Sequence, residues 1–460
     1  MIVTKAEAQL STLRYLMNRT RGTFGMKVTR KIFLPVALLV AVVLSMILSW
    51  FIWTNNPVRY ERNKEDTVTS TSTQRDLSTK SIRDIYLPVQ VITTDVGGNQ
   101  NLVNNHKVNL VTEIRDRMST WKSNRMVLVK SRSKSDYLAQ LRRPDTVMMN
   151  YDSSITVKVF NRVFKNQLKG VRNRKFNRIQ IKMDDAKHIY LLNDNGYRIY
   201  RVTVSGQKLS KLRSVLKTNL IKYPINLKMV SDQPTVFINK GLKMPRYSYM
   251  INKQDANNFV NRLMSSDNDN ISIKKRQNVT TYDDGSYHRL QVNTKTGFVT
   301  YGDYSSMKSI NTYTNMLLRS YGDLKKIGIP LDNTRFYYYN KKTSSVAYRG
   351  FVEGFPIFNQ AEYGTARIQL QGQSIKRYNF SLYGLQVPVP SRQKDKDLPT
   401  TQSMLDQLKQ AGIKEADVDN IQLGYEWKQN KASSEVVDLN PTWYVRYQGK
   451  WRTYESLLSN

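Results

Sequence analysis

The stretch that decides the architecture is Ile32–Trp53, IFLPVALLVAVVLSMILSWFIW, a run of 22 residues without a charged side chain. At the rise of an α-helix this length spans about 33 Å, which is enough to cross a hydrocarbon core of about 30 Å. Because lipid offers the backbone no hydrogen-bond partner, a lone span must be helical. The sequence therefore predicts a single transmembrane helix over residues 32–53.

The orientation of this helix follows from its flanks. Residues 1–31 carry seven Lys or Arg side chains against one acid, Glu7. The positive-inside rule therefore places residues 1–31 in the cytoplasm and residues 54–460 outside the cell membrane. A cleaved signal peptide is the alternative, but the apolar run is longer than such peptides carry, and no small-residue cleavage site follows it. Met26 is a second possible translation start.

The predicted helix offers two sets of candidate functional residues. Basic and aromatic side chains favour the membrane–water interfaces. The interface anchors are predicted to be Lys27, Arg30, Lys31, Trp50, Phe51 and Trp53. Small residues let two helices approach closely, and serines add hydrogen bonds between them. An i, i+4 stripe of small residues therefore predicts a helix–helix interface, although such residues are also common in spans without partners: Ala37, Ala41, Ser45 and Ser49.

The chain is strongly basic and contains no cysteine. Its formal net charge is +36, and most of that excess lies in residues 54–460. A basic surface often indicates nucleic acid, but the predicted topology puts this charge on the wrong side of the membrane. Lipid headgroups or anionic wall polymers are the expected counter-charges. The alternative is a generally basic surface that serves no particular partner. Without disulfides, stability must come from packed cores.

The pattern of the remaining chain indicates an α+β fold. Residues 54–80 are polar and form a tether, and three outer domains with antiparallel sheets are predicted over residues 81–225, 226–305 and 306–460. The first begins with a strand over Ile85–Ile92, and the second opens near Val236–Ile238. The other main expectations are helices at His106–Lys122, Asp255–Met264, Asn311–Tyr321 and Gln402–Ala411, β-like sequence over Thr146–Phe164, and separate strands at Val436–Leu439 and Trp443–Tyr447.

The residues that carry enzyme chemistry are sparse. The histidines, His106, His188 and His288, are far apart and form no metal-binding pair. Ser266–Asn270 resembles the start of a calcium loop, but the sixth loop position, which requires glycine, is Ser272. The paired acids in Tyr282–Gly285 are typical of a hairpin turn. The sequence predicts a non-enzymatic protein without metal or cofactor; an envelope hydrolase, a third option, would need a carboxylate pair that the pattern does not supply.

Several short motifs occur in a characteristic order. They are Leu48–Trp53, Tyr86–Val91 (YLPVQV), Met244–Tyr249 (MPRYSY), Tyr282–Gly285 (YDDG), Leu423–Tyr425 (LGY) and Leu439–Val445 (LNPTWYV). From about Met26 to its end, the chain resembles the YycH family of membrane-anchored regulators. These proteins accompany the WalK (YycG) sensor histidine kinase of low-GC Gram-positive bacteria. One departure is Tyr301-Gly302-Asp303, where the family tends to carry Asn-Pro after the tyrosine.

The resemblance implies a function as well as a fold. It implies three outer domains, the last similar to the companion protein YycI, and a complex with YycI and WalK. In that complex, helix contacts within the bilayer would set the output of the kinase that controls cell-wall metabolism. It implies no active-site residues. The alternative is a wall-polymer-binding or envelope-assembly protein that uses its basic outer surface.

Overall fold

The computed structural model describes residues 80–459 except 106–107, 172, 218–219, 265–270, 359–364 and 392, together with residues 38–39 and 41–46. Residue contacts divide the chain into two compact units, Met1–Gln74 and Arg75–Asn460. The described residues of the first unit are helical and exposed. No helix among the described residues is long and apolar enough to span a membrane. Most of the predicted span, residues 32–53, lies outside them, and the transmembrane helix stays a prediction.

The first part of the larger unit is a nine-stranded sheet in which every neighbouring pair is antiparallel. Its strands lie in the order β3-β7-β6-β5-β4-β1-β2-β8-β9. They are β1 (Gln90–Thr94), β2 (Gln100–Asn105), β3 (Lys122–Lys130), β4 (Thr146–Thr156), β5 (Lys175–Lys182), β6 (His188–Asn193), β7 (Arg198–Ser205), β8 (Leu220–Val230) and β9 (Gln233–Ile238).

Short helices accompany this sheet: α1 (Ile82–Ile85), α2 (Leu110–Met118), α3 (Lys134–Leu141), α4 (Val157–Val163) and α5 (Leu209–Val215). Helix α2 begins where the Asn109 side chain accepts a hydrogen bond from the Thr112 backbone N–H. It buries Ile114 and Met118, whereas Val108 is exposed. The helix predicted at His106–Lys122 is therefore confirmed in its centre.

Two predictions for this part were wrong. The strand expected at Ile85–Ile92 starts only at Gln90, because Asp84 accepts the Ser81 backbone N–H at 3.2 Å and starts a helical turn there. Val157–Val163, expected to be β-like, is helix α4. Its branched residues suggested a strand, but burial of Val159, Phe160 and Val163 on one side satisfies a helical stripe and overrides local propensity.

The second part of the unit is dominated by a 14-stranded sheet. Its main path is β12-β13-β14-β15-β20-β19-β17-β18-β23-β24-β11-β21; β16 adds to β17 and β25 to β24, while β10 pairs with β22 separately. The strands are β10 (Leu242–Met244), β11 (Tyr247–Lys253), β12 (Ser272–Arg276), β13 (Val279–Asp283), β14 (His288–Asn293), β15 (Phe298–Asp303), β16 (Thr334–Asn340), β17 (Ser345–Val352), β18 (Phe355–Phe358), β19 (Thr365–Gln371), β20 (Ile375–Ser381), β21 (Tyr383–Val389), β22 (Lys396–Leu398), β23 (Val418–Gln429), β24 (Val436–Tyr447) and β25 (Lys450–Thr453).

The helices of this part confirm the local patterns. They are α6 (Ala256–Leu263), α7 (Tyr313–Ile327), α8 (Thr401–Gln410) and α9 (Tyr454–Leu458), with a 3₁₀ turn at Glu415–Asp417. The side chains of Asp255, Thr312 and Thr400 cap the first three of these helices by accepting backbone N–H groups. The predicted helices at Asp255–Met264, Asn311–Tyr321 and Gln402–Ala411 are confirmed, although α7 continues to Ile327.

The two strands expected at Val436–Leu439 and Trp443–Tyr447 are one continuous strand, β24. The pattern breaks at Asn440-Pro441, where a proline cannot donate a ladder hydrogen bond. The strand continues there because β23 pairs along it, whereas neither β11 nor β25 reaches Pro441.

The α+β fold is thus confirmed, and its sheets are mostly antiparallel, with β18 and β23 forming a parallel pair. Strands β8 and β9 both pair within the nine-stranded sheet, so that sheet includes Val236–Ile238. The second outer domain was expected to begin near those residues. The division into domains 81–225, 226–305 and 306–460 stays a prediction.

A buried hydrogen-bond network joins the two parts. The Tyr86 hydroxyl donates to the Leu317 carbonyl oxygen at 2.6 Å and lies 2.9 Å from the Tyr348 hydroxyl. Tyr348 in turn lies 2.7 Å from Ser320 Oγ. Both tyrosines are fully buried, in a core shared by the first sheet, α7 and β17. Because each hydroxyl has a partner, burial of the two tyrosines leaves no polar atom of theirs unsatisfied.

Gly424 on β23 faces the parallel strand β18 at close range, which gives a test of the packing. A Cβ at residue 424 would lie 2.8 Å from the Pro356 carbonyl oxygen and 2.8 Å from Phe358 Cε2. Since that carbonyl belongs to the backbone, we expect Gly424→Ala to lower the free energy of unfolding by about 1–3 kcal/mol in urea. Gly322→Ala in α7 is the control, because its Cβ meets no described atom within 4 Å. It should be neutral or stabilising by about 1 kcal/mol; equal losses would contradict the prediction.

Candidate functional site

The predicted helix–helix interface is only partly described. Ala41 and Ser45 lie in the helical segment 41–46, and both are exposed. The other predicted membrane residues lie outside the described part of the chain: Ala37, Ser49, Lys27, Arg30, Lys31, Trp50, Phe51 and Trp53. The partner-binding face and the interface anchors therefore stay predictions.

The acidic turn at Asp283–Gly285 is structural. It joins β13 to β14 as the sequence predicted, and Arg289 Nε donates to Asp283 at 2.7 Å. The Gly285 backbone N–H and the Arg289 guanidinium hold the pKa of Asp283 below its usual range. Asp284 lies 2.5 Å from His288 Nδ1. Both acids therefore have their partners within their own hairpin.

The remaining metal candidates do not assemble. His188 lies beside Asp185, with Nδ1 and Oδ2 3.0 Å apart, and is remote in sequence from His288. His106 and residues 266–270 lie outside the described residues. Among the described residues, no three His, Asp or Glu side chains come close enough to hold a metal ion.

A polar cavity of about 980 Å³ lies between the nine-stranded sheet and the second part of the unit. Strands β4 and β5 line it from one side, and β16, β17, β19, β20 and β23 line it from the other. Such volumes are typical of small-molecule sites. We call it the inter-sheet cavity.

One wall of the inter-sheet cavity is the polar face of three paired strands. Ala347 of β17 lies opposite Arg367 of β19, and Arg367 lies opposite Asn379 of β20. Directly opposed residues share a face of a sheet. The neighbouring row on the same face is Ser345, Gln369 and Arg377. The intervening residues are apolar or aromatic and pack in the core with α7: Val346, Tyr348, Ile368, Tyr378 and Phe380.

The opposite wall holds a buried ion pair. Arg178 Nε and Nη2 donate to the two carboxylate oxygens of Asp194 at 2.8 and 2.9 Å. Tyr137 and Asn177 donate to the same carboxylate at 2.6 and 2.5 Å. Two hydrogen bonds from a guanidinium and two from neutral side chains therefore compensate the burial of this aspartate. Asp194 therefore has little capacity left for a ligand.

Asp152 has a different environment. Gln422 Nε2 donates to its Oδ1 at 3.0 Å, and the Tyr337 hydroxyl donates to Gln422 Oε1 at 2.9 Å. Its side chain is accessible from the cavity but has protein atoms on most sides, and this desolvation raises its pKa to about 7. The Gln422 bond and the charges of Arg349 and Arg178 oppose the shift.

Three buried polar atoms on lining residues have no hydrogen-bond partner among the described residues: Asn150 Oδ1, Asn379 Oδ1 and Arg349 Nε. Arg349 is nevertheless held firmly. Its Nη1 donates to the Ile357 carbonyl oxygen at 2.7 Å, and its guanidinium lies 4.6 and 4.3 Å from the ring centres of Tyr337 and Phe358. Arg349 is thus a fixed donor rather than a flexible one.

The sequence did not reveal this site. Alternation in TARIQLQ (365–371) and IKRYNFS (375–381) separates a polar face from an apolar one. A polar strand face ordinarily contacts solvent. Only the tertiary structure shows that this face looks across a cavity at β4.

Two models of one family match most of the chain. The model of the YycH protein N-terminal domain matches residues 31–220, and that of the YycH protein C-terminal domain matches residues 233–458. The chain belongs to the YycH family.

Individual relatives agree with this assignment. The Bacillus subtilis (strain 168) protein described as "Two-component system WalR/WalK regulatory protein YycH" is 22% identical over 437 residues, which cover 90% of this chain and 94% of that protein. The crystal structure of YycH from Bacillus subtilis matches with a TM-score of 0.66 at 19% identity, covering 82% of this chain and 98% of that chain. The latter likeness shows that the fold described above is that of a YycH protein.

The raised pKa of Asp152 predicts a pH dependence of stability. An acid that holds its proton more tightly when folded stabilises the protein below its unfolded pKa of 3.8, and that contribution is lost as the pH rises through about 7. Asp152→Asn removes the penalty of the charged form and retains an acceptor for Gln422. We therefore expect the melting temperature of this variant, relative to wild type, to rise between pH 5 and pH 8.

Asp95→Asn is the control for this experiment. Hydrogen bonds from the Asn99 side chain and backbone lower the pKa of Asp95, so its contribution is lost only as the pH falls below the usual range for an aspartate. The difference in melting temperature between Asp95→Asn and wild type should stay constant between pH 5 and 8. A constant difference for Asp152→Asn as well would refute the assigned shift.

Proposed function

We propose that this protein is a non-enzymatic accessory regulator of a WalK (YycG)-type sensor histidine kinase that controls cell-wall metabolism. The observation that carries the proposal is the nearly full-length match to a Bacillus subtilis protein named as a WalR/WalK regulatory protein. Membership of the YycH family over both halves of the chain supports it. The cavity lining in the described residues contains no histidine, lysine or glutamate, and of its three aspartates Asp194 is already paired with Arg178.

The proposed location is the cell membrane, with residues 1–31 in the cytoplasm and residues 54–460 outside. The uncharged run at 32–53 and the basic residues before it support this topology. The matched family region begins at residue 31, so it includes the run. Membrane lipid is then a direct partner of the chain, and the excess positive charge of residues 54–460 makes anionic wall polymers a second class of partner.

The proposed mechanism is contact between helices in the bilayer. The stripe of Ala37, Ala41, Ser45 and Ser49 would pack against helices of the kinase and of YycI. Binding can change the output of a two-state kinase only if the regulator has different affinities for the two states. Small residues suit this role because a shift of one helix changes many close backbone contacts at once.

The cysteine-free sequence allows a direct test of topology. In full-length protein, Ser205→Cys places one thiol on an exposed residue of the outer part, and Ser11→Cys places one before the predicted span. We expect a membrane-impermeant maleimide to label only Ser205→Cys in intact cells, and both variants after lysis. Labelling of Ser11→Cys alone in intact cells would show that the chain has the opposite orientation in the membrane.

A second test addresses the helix contacts. Replacing Ala41 and Ser45 together with Leu adds bulk to the small-residue face, so we expect in-membrane crosslinking to the kinase to fall several-fold. A kinase-dependent reporter should change in the same strain. Val43→Leu is the matched control, because residue 43 is two positions from each and lies on the opposite side of a helix.

Crosslinking and reporter output that match wild type in the double variant would refute the interface. An equal effect of Val43→Leu would show that the helix is sensitive to bulk on any face. Immunoblotting of membranes establishes that each variant is present at the same level.

A further inference from the structure

The inter-sheet cavity has an excess of positive charge. Its described lining contains five arginines, Arg178, Arg349, Arg367, Arg377 and Arg446, and three aspartates, Asp152, Asp194 and Asp419. Guanidinium groups match the geometry of carboxylates and phosphates because they donate parallel hydrogen bonds. The charge therefore favours an anionic ligand.

The unpartnered atoms narrow the ligand class. Asn150 is 5% exposed and Arg349 is 8% exposed, and each has a buried polar atom without a described partner. A buried amide oxygen left without a donor costs stability, so both Asn150 and Asn379 need an O–H or N–H group opposite them. Arg349 Nε needs an acceptor. Hydroxyl groups donate and accept at once, and thus satisfy both kinds of atom.

Aromatic side chains complete the lining. Trp443, Trp451, Tyr337 and Tyr338 all border the cavity. The Trp443 indole N–H donates to the Pro399 carbonyl oxygen at 3.0 Å, and its ring is buried in the core, so the more exposed rings of Trp451 and Tyr338 are the ones that a ligand can contact. Rings beside polar groups suit a ligand that has both C–H faces and hydroxyls. A sugar ring has this combination.

We propose that the inter-sheet cavity is a binding site for an anionic saccharide. Arg349, Arg367 and Arg377 contact its carboxylate or phosphate, and Asn150 and Asn379 accept its hydroxyl protons. The site connects β4 of the first sheet to β17–β20 of the second part, so an occupant bridges the two. Saccharide binding goes beyond the proposed regulatory role. The two proposals can fail separately, because saccharide binding is measured on purified protein without the kinase.

The test uses the full-length protein in detergent and the quenching of tryptophan fluorescence, since Trp443 and Trp451 line the cavity. The probes are trigalacturonate, which carries carboxylates, glucose 1-phosphate, which carries a phosphate, and the neutral sugar maltotriose. We expect saturable binding of one or both charged sugars and at least tenfold weaker binding of maltotriose. Which charged sugar binds more tightly identifies the anionic group.

The variants separate the cavity from the general basic surface. Arg377 is exposed at the wall of the cavity, and we expect Arg377→Gln to weaken binding about tenfold, as for loss of a charge-assisted hydrogen bond. Arg276→Gln removes the same charge from edge strand β12, outside the lining, and should leave affinity unchanged. Asn379→Ala keeps all charges and should also weaken binding several-fold.

Four results would overturn the proposal. These are absence of saturable binding by either charged sugar, maltotriose binding as tightly as they do, equal losses in Arg276→Gln and Arg377→Gln, and binding of a Glu-Glu dipeptide in place of the sugars. The last result would assign the cavity to acidic peptides.

Discussion

The hydroxyl of Tyr86 connects the two parts of the folded unit. Tyr86 directly follows α1 and precedes the first strand of the first sheet, yet its hydroxyl donates to the Leu317 carbonyl oxygen of α7 at 2.6 Å and lies 2.9 Å from the Tyr348 hydroxyl of β17. Its burial raises the pKa of Tyr86 well above its usual value, so the hydroxyl stays a donor at any physiological pH. A buried hydrogen-bond network of this kind specifies one arrangement of its elements, because any other leaves polar atoms unsatisfied.

The inter-sheet cavity is a consequence of that arrangement. With β17 fixed by its apolar face, through Tyr348, its polar face must look away from α7. The same alternation carries Arg367 and Asn379 on the neighbouring strands to that side. The wall they meet, around Asn150 and the Arg178–Asp194 pair, is polar as well. Two polar surfaces cannot exclude water as apolar ones do, and a cavity rather than a core lies between them.

How far the sequence predicts the structure depends on whether a signal is local. The helices α6, α7 and α8 follow from an apolar stripe and a side-chain cap within a few residues of each start. The helix α4 was missed because Val157–Val163 is rich in branched residues, and only its burial against other elements makes it helical. The continuity of β24 through Pro441 likewise depends on which neighbouring strands reach that residue.

By itself, the sequence determined the α+β class, the helices α6, α7 and α8 and the acidic turn at Asp283–Gly285, since each rests on the spacing of neighbouring side chains. The family followed from the order of short motifs, and the comparisons confirmed it. Only the tertiary structure decided that Arg349, Arg377 and Asn379 share one wall, and that Asn150 and Asp152 face them. Alternation along a strand reveals two faces, but which face meets solvent is decided by residues more than 150 positions away.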